Sequence, residues 1–389
     1  MIAEIVVGLM ILVLAYNAAY LFIFSVAGAL RQPGVPKSKQ SEYAPNFLVL
    51  LPGFKEDSVI IKSAESVLAQ NYPTENFKCV VLADCFKPET VAALRTRGVE
   101  VFEVPDDPNR NKAKSIQLYL SNCFTEYNAC VILDADNVIQ PDFLQVAASY
   151  IANGSKIIQA RRVAKNEENV LSRLDSLSEV INNHIFRKGQ RALGLSASLI
   201  GSGMIIDMNT FRMVMEDMDV FSGFDKEMEL RLLKNRFTME YAESIVVYDE
   251  KVSQHQVYVN QRRRWTYAQI HFLKKNIFSA FYELISHRNF DYFNKVVQFS
   301  LLPRIVTIGL SLILIPATFF LEANYFIASS IIFAMVSSSI LIASRKHIRF
   351  SEILKLTMGL PAVFFGMIKA LVTSGQAARK FIHTPHNAQ

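Results

Sequence analysis

Val131-Ile132-Leu133-Asp134-Ala135-Asp136 is an apolar run that ends abruptly in two carboxylates. A short run of branched apolar residues bounded by polar ones reads as a buried strand. Asp134 and Asp136 then stand at its carboxyl end. On an extended chain, residues i and i+2 project to the same side, so the two side chains can share one hard cation. Such an ion takes oxygen ligands and can bridge to a diphosphate. An isolated Asp-x-Asp is equally a pair of loop-capping aspartates, and the surrounding pattern has to decide between the two.

That pattern is an alternation. Residues 47–51, 79–83, 99–104 and 130–133 read as strands, and 58–70, 88–96, 112–121 and 141–152 as helices. Strands alternating with helices predict an α/β fold with a mostly parallel sheet and flanking helices. In such sheets ligands sit beyond the carboxyl ends of the strands. There the sequence carries Glu56, Asp84, the pair Asp106 and Asp107, and then Asp134 and Asp136. A row of acids repels phosphate unless a divalent cation intervenes, or unless some of the carboxylates hold a base and a ribose. No G-x-G-x-x-G follows the first strand and no G-x-x-x-x-G-K-[ST] is present. A dinucleotide dehydrogenase and a P-loop ATPase are therefore excluded.

Charged residues are 20% of the 389 and apolar residues 51%, with a mean hydropathy of +0.21. Soluble domains average about 25% charged residues, so part of the chain is expected in lipid. The excess of 41 Lys and Arg over 35 Asp and Glu is mild and gives no reason to expect nucleic acid as a partner. Cys79, Cys85, Cys123 and Cys130 show no C-x-x-C spacing and fit a reduced compartment. Residues 5–30 carry no charge. As a helix they span roughly 39 Å, enough for a hydrocarbon core of about 30 Å. Glu4 precedes the run, and Arg31, Lys37 and Lys39 follow it, which places the following chain in the cytosol.

Runs 305–321 and 323–344 predict a membrane hairpin, its first arm reaching back through Phe299 if Arg304 snorkels. Arg345, Lys346, His347 and Arg349 would mark its cytosolic end. The run 356–368 is shorter and holds Gly359, Pro361 and Gly366, which predicts a broken, re-entrant or interfacial segment. The expected organisation is an anchor at 1–30, a linker at 31–45 and a cytosolic α/β domain at 46–252. Amphipathic interfacial helices at 253–295, membrane helices at 296–374 and a basic cytosolic tail at 375–389 follow.

The only tryptophan lies in Gln261-Arg262-Arg263-Arg264-Trp265. Three arginines beside a membrane segment suit anionic lipid. Arginine is also the fork-shaped ligand of diphosphate, and tryptophan a flat platform for a sugar ring.

With these residues in order, the chain resembles the membrane-integrated family-2 glycosyltransferases, the group of cellulose, hyaluronan and chitin-type synthases and ceramide glucosyltransferase. The matching residues are Pro52-Gly53-Phe54-Lys55-Glu56, Asp84, Asn111-Lys112-Ala113, Asp134-Ala135-Asp136, Gly201-Ser202-Gly203, Asp225 and Gln261-x-x-Arg264-Trp265. The stretch from Phe381 to His386 resembles a terminal Thr-Pro motif of the group. The resemblance implies a GT-A nucleotide-sugar domain with N-terminal and C-terminal transmembrane or interfacial helices. It implies that Glu56 and Asp84 hold the uridine and ribose of a UDP-sugar, with Lys112 near the nucleotide. Asp134 would contact the nucleotide-sugar, and Asp136 would bind Mg²⁺ or Mn²⁺. Asp225 would be the general base, Gln261 and Arg264 would close over the diphosphate, and Gly201, Ser202 and Trp265 would form the acceptor side. Lys55 and Phe54 depart from the family's usual Asn and frequent Tyr, and Phe224 stands where glutamate often precedes the base. Glu227 and Glu229 compete with Asp225 for that role.

The implied protein is an integral membrane enzyme with a cytoplasmic catalytic domain and a UDP-sugar donor. A processive β-glycan synthase is expected first, and a transferase that adds one sugar to a ceramide or polyprenyl-type lipid second. A homo-oligomer or export partner would suit the first. A non-enzymatic scaffold or transporter is disfavoured by the intact set of carboxylates.

Overall fold

A computed structural model describes residues 2–31, 44–107, 110–220, 223–348 and 350–375. Most of the expected linker, the tail beyond residue 375 and the stretch from Phe381 to His386 lie outside the described residues.

The strands are β1 (Phe47–Phe54), β2 (Phe77–Asp84), β3 (Glu100–Glu103), β4 (Ala129–Ile132), β5 (Val138–Ile139), β6 (Ile157–Ala164), β7 (Met204–Asp207) and β8 (Glu240–Asp249). They form one eight-stranded sheet in the order β3-β2-β1-β4-β7-β6-β8-β5. Its first half is parallel, as the alternation predicts. The short β7 then enters antiparallel to both β4 and β6. The period of two sorts β1 between two cores. Leu48 and Leu50 pack with Val80, Leu82, Cys130 and Ile132 on one face, while Phe47, Val49 and Leu51 pack with Val81, Ala83 and Val131 on the other. A strand buried on both faces is uniformly apolar, which is why these runs are easily found in the sequence.

Helices α2 (Ile60–Leu68), α3 (Pro88–Thr96), α4 (Lys112–Asn122) and α5 (Phe143–Ala152) are the crossover and flanking helices. Proline opens α3, and Asn111 caps α4 by accepting the N–H of Lys114. Beyond them lie α6 (Val170–Asn182), a π-helical stretch Asn183–Gly189, α7 (Gln190–Ala192), α8 (Met208–Met215) and α9 (Phe224–Lys234). The 33-residue α10 (His255–His287) carries the arginine cluster, and α11 (Phe290–Gln298) follows.

The apolar helices are α1 (Ile2–Leu30), α12 (Arg304–Phe319), α13 (Ala323–Ser344) and α14 (Phe350–Val372). Within them Glu4–Leu30, Ala323–Ser344 and Lys355–Val372 are long and apolar enough to cross a membrane. Two expectations are corrected here. The first hairpin arm does not extend back through Phe299: Pro303 is the N-cap and α12 starts at Arg304, whose side chain turns inward to Asn182 and Ser178 instead of snorkelling. The run 356–368 is not broken either, because α14 continues through Pro361. Its glycines serve close approach. A Cβ on Gly359 would stand 2.5 Å from Val170 Cγ1 of α6, and one on Gly366 3.1 Å from His255 Nε2 of α10.

The sheet is joined to the elements that pack against the apolar helices by a buried ion cluster. Glu179 of α6 accepts from Arg162 of β6 and from Arg187 of the π-helical stretch, both at 2.9 Å. Lys251 lies 3.8 Å from Glu179 and 2.9 Å from Asp249 at the end of β8. Burial opposes ionisation of Glu179, but Arg162 and Arg187 outweigh it and hold the carboxyl well below its usual range. Removing one member of a buried, paired cluster leaves charges unneutralised, at about 3–5 kcal/mol. Glu179→Leu should therefore lower the midpoint of thermal unfolding sharply, whereas Glu65→Leu, which breaks only the exposed pair with Arg97, should leave it within a degree or two. Scanning both variants beside the parent protein checks this.

Candidate active site

A cavity of about 1190 Å³ opens at the carboxyl ends of β1, β2 and β4. Glu56, Asp84, Lys112, Asp134, Asp136, Gly201, Asp225, Gln261, Arg264 and Trp265 all line it. Only Ser202 of the expected site residues does not.

On the β1–β2 side, Glu56 and Asp84 are both buried. Arg110 Nη1 donates to Asp84 Oδ1 at 2.7 Å, and its guanidinium lies 5.0 Å from the Phe54 ring centre. Burial pushes the Asp84 carboxyl up from its ordinary range, against the opposing Cys85 hydrogen bond and the Arg110 charge. Arg110 and Asp106 belong to the polar loop between β3 and α4. Asp106 is exposed and pairs with Arg110, while Arg110 itself reaches into the site. Nothing in its sequence neighbourhood signals this, because the contact depends on the loop after β3 folding back over the end of β2.

At the end of β4, Lys112 Nζ donates to Asp134 Oδ1 at 2.7 Å and to the Gly201 carbonyl at 2.8 Å. One ammonium thus ties the start of α4, the Asp-x-Asp and the loop before β7. Asp136 is buried, with Oδ1 accepting from Asn137 Nδ2 and Oδ2 from the Glu250 N–H, each at 3.0 Å. Lys165 Nζ donates to its carbonyl. Among the described residues no three His, Cys, Asp or Glu side chains converge into a closed metal cage. Asp136, with Asp134 two residues away, is what the wall offers a cation.

Ser202 lies behind this wall. It is 1% exposed, accepts the Asp134 N–H at 2.9 Å and donates to Asn137 Oδ1. Its place is structural: it fixes the two aspartates from below and does not face an acceptor. Gln159 of β6 holds the same loop by donating to the Ser202 carbonyl and accepting the Ile200 N–H. Gly203 sits at φ +63°, and a Cβ there would fall 2.8 Å from Val247. Both the conformation and the space require glycine.

The three carboxylates of α9 separate cleanly. Asp225 lines the cavity in the first helical turn beside Gly201. Glu227 faces away, paired with Arg231 at 3.1 Å and Lys275 at 3.2 Å. Glu229 is 2% exposed and paired with Lys295 at 2.7 Å. The nearest cation to Asp225 is Lys226, at 3.5 Å. The arginines of α10 separate too. Arg262 pairs with Asp175 and lies 4.3 Å from the Trp265 ring centre. Arg263 Nε donates to Thr373 at the end of α14. Gln261, Arg264 and Trp265, spaced i, i+3 and i+4, share the cavity face. Burial pulls the Arg264 guanidinium down from its usual range. His255 packs against α14 and His271 stacks on Tyr267.

The cavity also runs past these groups to Ile340 and Leu341 of α13 and to Leu356, Leu360, Val363 and Met367 of α14. One end is therefore carboxylate-rich and the other apolar.

No curated protein matches the sequence. Among solved structures, the mannosyltransferase PcManGT from Pyrobaculum calidifontis, in complex with GDP-Man and Mn2+, superposes with a TM-score of 0.56 at 14% identity. The match covers 95% of this chain and 98% of that one. TarS 1-349 of S. aureus, in complex with UDP-GlcNAc, reaches a TM-score of 0.41 at 15% identity over 86% of this chain and 91% of that one. The likeness to the first is one of fold, a GT-A-like arrangement. The family model described as glycosyl transferase family group 2 matches residues 129–341, a span that includes the Asp-x-Asp, Gly201, Asp225 and the Gln261–Trp265 motif. With more than half of its length so matched, this chain belongs to the family-2 glycosyltransferases.

Proposed function

We propose that this protein is a membrane-bound, inverting transferase that moves a sugar from a UDP-sugar to a lipid acceptor. The observation that carries the acceptor class is the continuity of the cavity from Asp134, Asp136 and Asp225 to the apolar faces of α13 and α14. A glycan lying there would leave its hydroxyls facing leucine, valine and methionine, and unmet polar groups are disfavoured in such surroundings. A hydrocarbon chain is not. The donor enters from the cytosolic side, and three of the four apolar helices hold the enzyme in the bilayer.

In this reading Glu56 and Asp84 bind the nucleoside, and Arg110 must leave Asp84 as the nucleoside arrives. Lys112, Gln261 and Arg264 meet the diphosphate. Asp136 fits a cation: it faces the cavity, and each carboxylate oxygen accepts only one N–H, which leaves lone pairs on both. Ions of the Mg²⁺ class are commonly held by one or two carboxylates together with substrate phosphates. When bound, Mg²⁺ or Mn²⁺ supplies neutralisation of the leaving diphosphate. Asp225 takes the proton of the acceptor hydroxyl, whose oxygen forms the new bond to the anomeric carbon. The bond from that carbon to the diphosphate breaks, and UDP leaves with the electron pair. Attack from the face opposite the leaving group inverts the centre.

A second reading is a processive β-glycan synthase, alone or with a second copy or export partner. It is favoured by Trp265, a half-exposed ring on the cavity wall beside Gln261 and Arg264. Product length separates the two. The lipid reading expects a single-sugar glycolipid by mass spectrometry, and a ladder of polymer would replace it with the synthase.

The base assignment has its own test. Asp225→Asn should lower turnover by about 10²–10⁴-fold, the usual contribution of a general base, with UDP affinity unchanged. Glu227→Gln should retain most of the turnover, since its carboxylate faces Arg231 and Lys275. The reverse ranking would move the base to Glu227.

For the metal, EDTA should stop turnover, and added Mg²⁺ or Mn²⁺ should restore it in the parent protein but not in Asp136→Ala. Full metal-independent turnover by the variant would remove Asp136 from the donor site.

A further inference from the structure

The membrane end of the cavity holds a cation that the transfer chemistry does not use. Arg162 and Arg187 are neutralised by Glu179, and Arg262 by Asp175. Arg304, the first residue of α12, lines the same cavity but meets only neutral acceptors. Its Nη1 donates to Asn182 Oδ1 at 2.7 Å, and its Nη2 to Ser178 O at 3.0 Å and Ser178 Oγ at 2.9 Å. The guanidinium lies 5.8 Å from the Phe186 ring centre. Among the described residues no carboxylate lies within 4.0 Å of it. These neutral contacts occupy about three of the five N–H donors that an arginine offers, which leaves about two for a ligand.

A sequestered guanidinium without a counter-ion is unfavourable unless something else supplies the negative charge. The positive end of the α12 dipole falls at the same place. Arg345, at the end of α13, lines the cavity as well. Two cations with no carboxylate allotted to Arg304 suit a phosphate monoester, whose charge exceeds that of a single carboxylate and whose oxygens match the arginine fork. Immediately beyond them the lining turns apolar, with Ile340 and Leu341 on α13 and Leu356, Leu360 and Val363 on α14. A fixed anion followed by a hydrocarbon chain is complementary to that sequence of surfaces.

We propose that Arg304 binds the phosphate headgroup of a lipid whose chain lies between α13 and α14. This rests on the lipid-acceptor reading and adds to it a phosphate that anchors the lipid, distinct from the hydroxyl that Asp225 deprotonates.

Trp265, the only tryptophan in the chain, lines the same cavity, so its emission reports occupancy directly. The full-length protein in detergent is titrated with farnesyl phosphate, farnesol and inorganic phosphate. Farnesyl phosphate should bind at least tenfold more tightly than farnesol, and inorganic phosphate should have little effect. Arg304→Gln should bring farnesyl phosphate down to the level of farnesol, while Arg304→Lys, which keeps the charge, should retain most of the difference. A UDP titration of each variant shows that the donor side is still folded. If Arg304→Gln does not fold, the parent protein and Arg304→Lys carry the comparison.

Equal binding of farnesol and farnesyl phosphate would overturn the headgroup site and leave the lipid reading standing. So would undiminished binding of farnesyl phosphate to Arg304→Gln. Inorganic phosphate binding as tightly as farnesyl phosphate would mean a free-anion site, not a lipid one. A response to β-linked oligosaccharide with none to either farnesyl compound would remove the lipid reading itself.

Discussion

A single buried carboxylate, Glu179, ties the sheet to the elements that pack against the apolar helices. It lies between Arg162 on β6 and Arg187 on the π-helical stretch, with Lys251 and Asp249 completing the cluster from the end of β8. Each of these charges would be costly alone in such a site, and together they hold one another in place. The consequence is positional. The π-helical stretch packs against α1 so closely that a Cβ on Gly189 would strike the Phe24 carbonyl at 2.1 Å. Because α6 and the π-helical stretch are anchored to the sheet at Glu179, α13 and α1, which pack against them, are placed relative to it.

The carboxylate-rich end of the cavity is built by the same kind of indirect support. Asp134 and Asp136 do not stand free at the end of β4. They are carried on a layer in which Ser202, Asn137 and Gln159 satisfy one another's polar groups. A buried polar network that is fully paired is rigid, and rigidity is what an electrostatic site needs when charge develops on a leaving group. Lys112 then neutralises one of the two aspartates and leaves the other toward the cavity. At the ends of β1 and β2, Arg110 pairs with Asp84. The same guanidinium also pairs with the exposed Asp106, so its charge has a second partner when it is drawn off Asp84.

The cavity therefore changes character along its length for reasons that belong to different elements. Strand ends supply carboxylates, α10 supplies a cation and an indole, and α13 and α14 supply hydrocarbon. The arginines of the Gln261–Trp265 motif illustrate the sorting. A helix turns about 100° per residue, so three consecutive arginines cannot share a direction. Arg262 pairs with Asp175 at the cavity wall, Arg263 turns away to Thr373, and Arg264 lines the cavity.

The sequence by itself determined the parallel half of the sheet, the carboxylates at its strand ends and the apolar helices. Each of these is a local periodicity backed by burial: doubly buried strands are uniformly apolar, and helices that meet lipid carry long uncharged runs. Gly201, Asp225, Gln261, Arg264 and Trp265 were also legible as motif positions, and the fold brings them to one cavity. Only the tertiary structure decided which side chains face that cavity. Ser202 sits in the same motif as Gly201, yet its hydroxyl turns under the wall. Arg110 and Arg304 look like loop and interfacial cations, yet both turn inward. The glycines and proline of α14 read as breaks until α6 and α10 are placed against them, where close packing keeps the helix continuous. In each case the deciding contact joins residues far apart in the chain, and its energy depends on burial and on a distant partner's charge, neither of which is written in the local sequence.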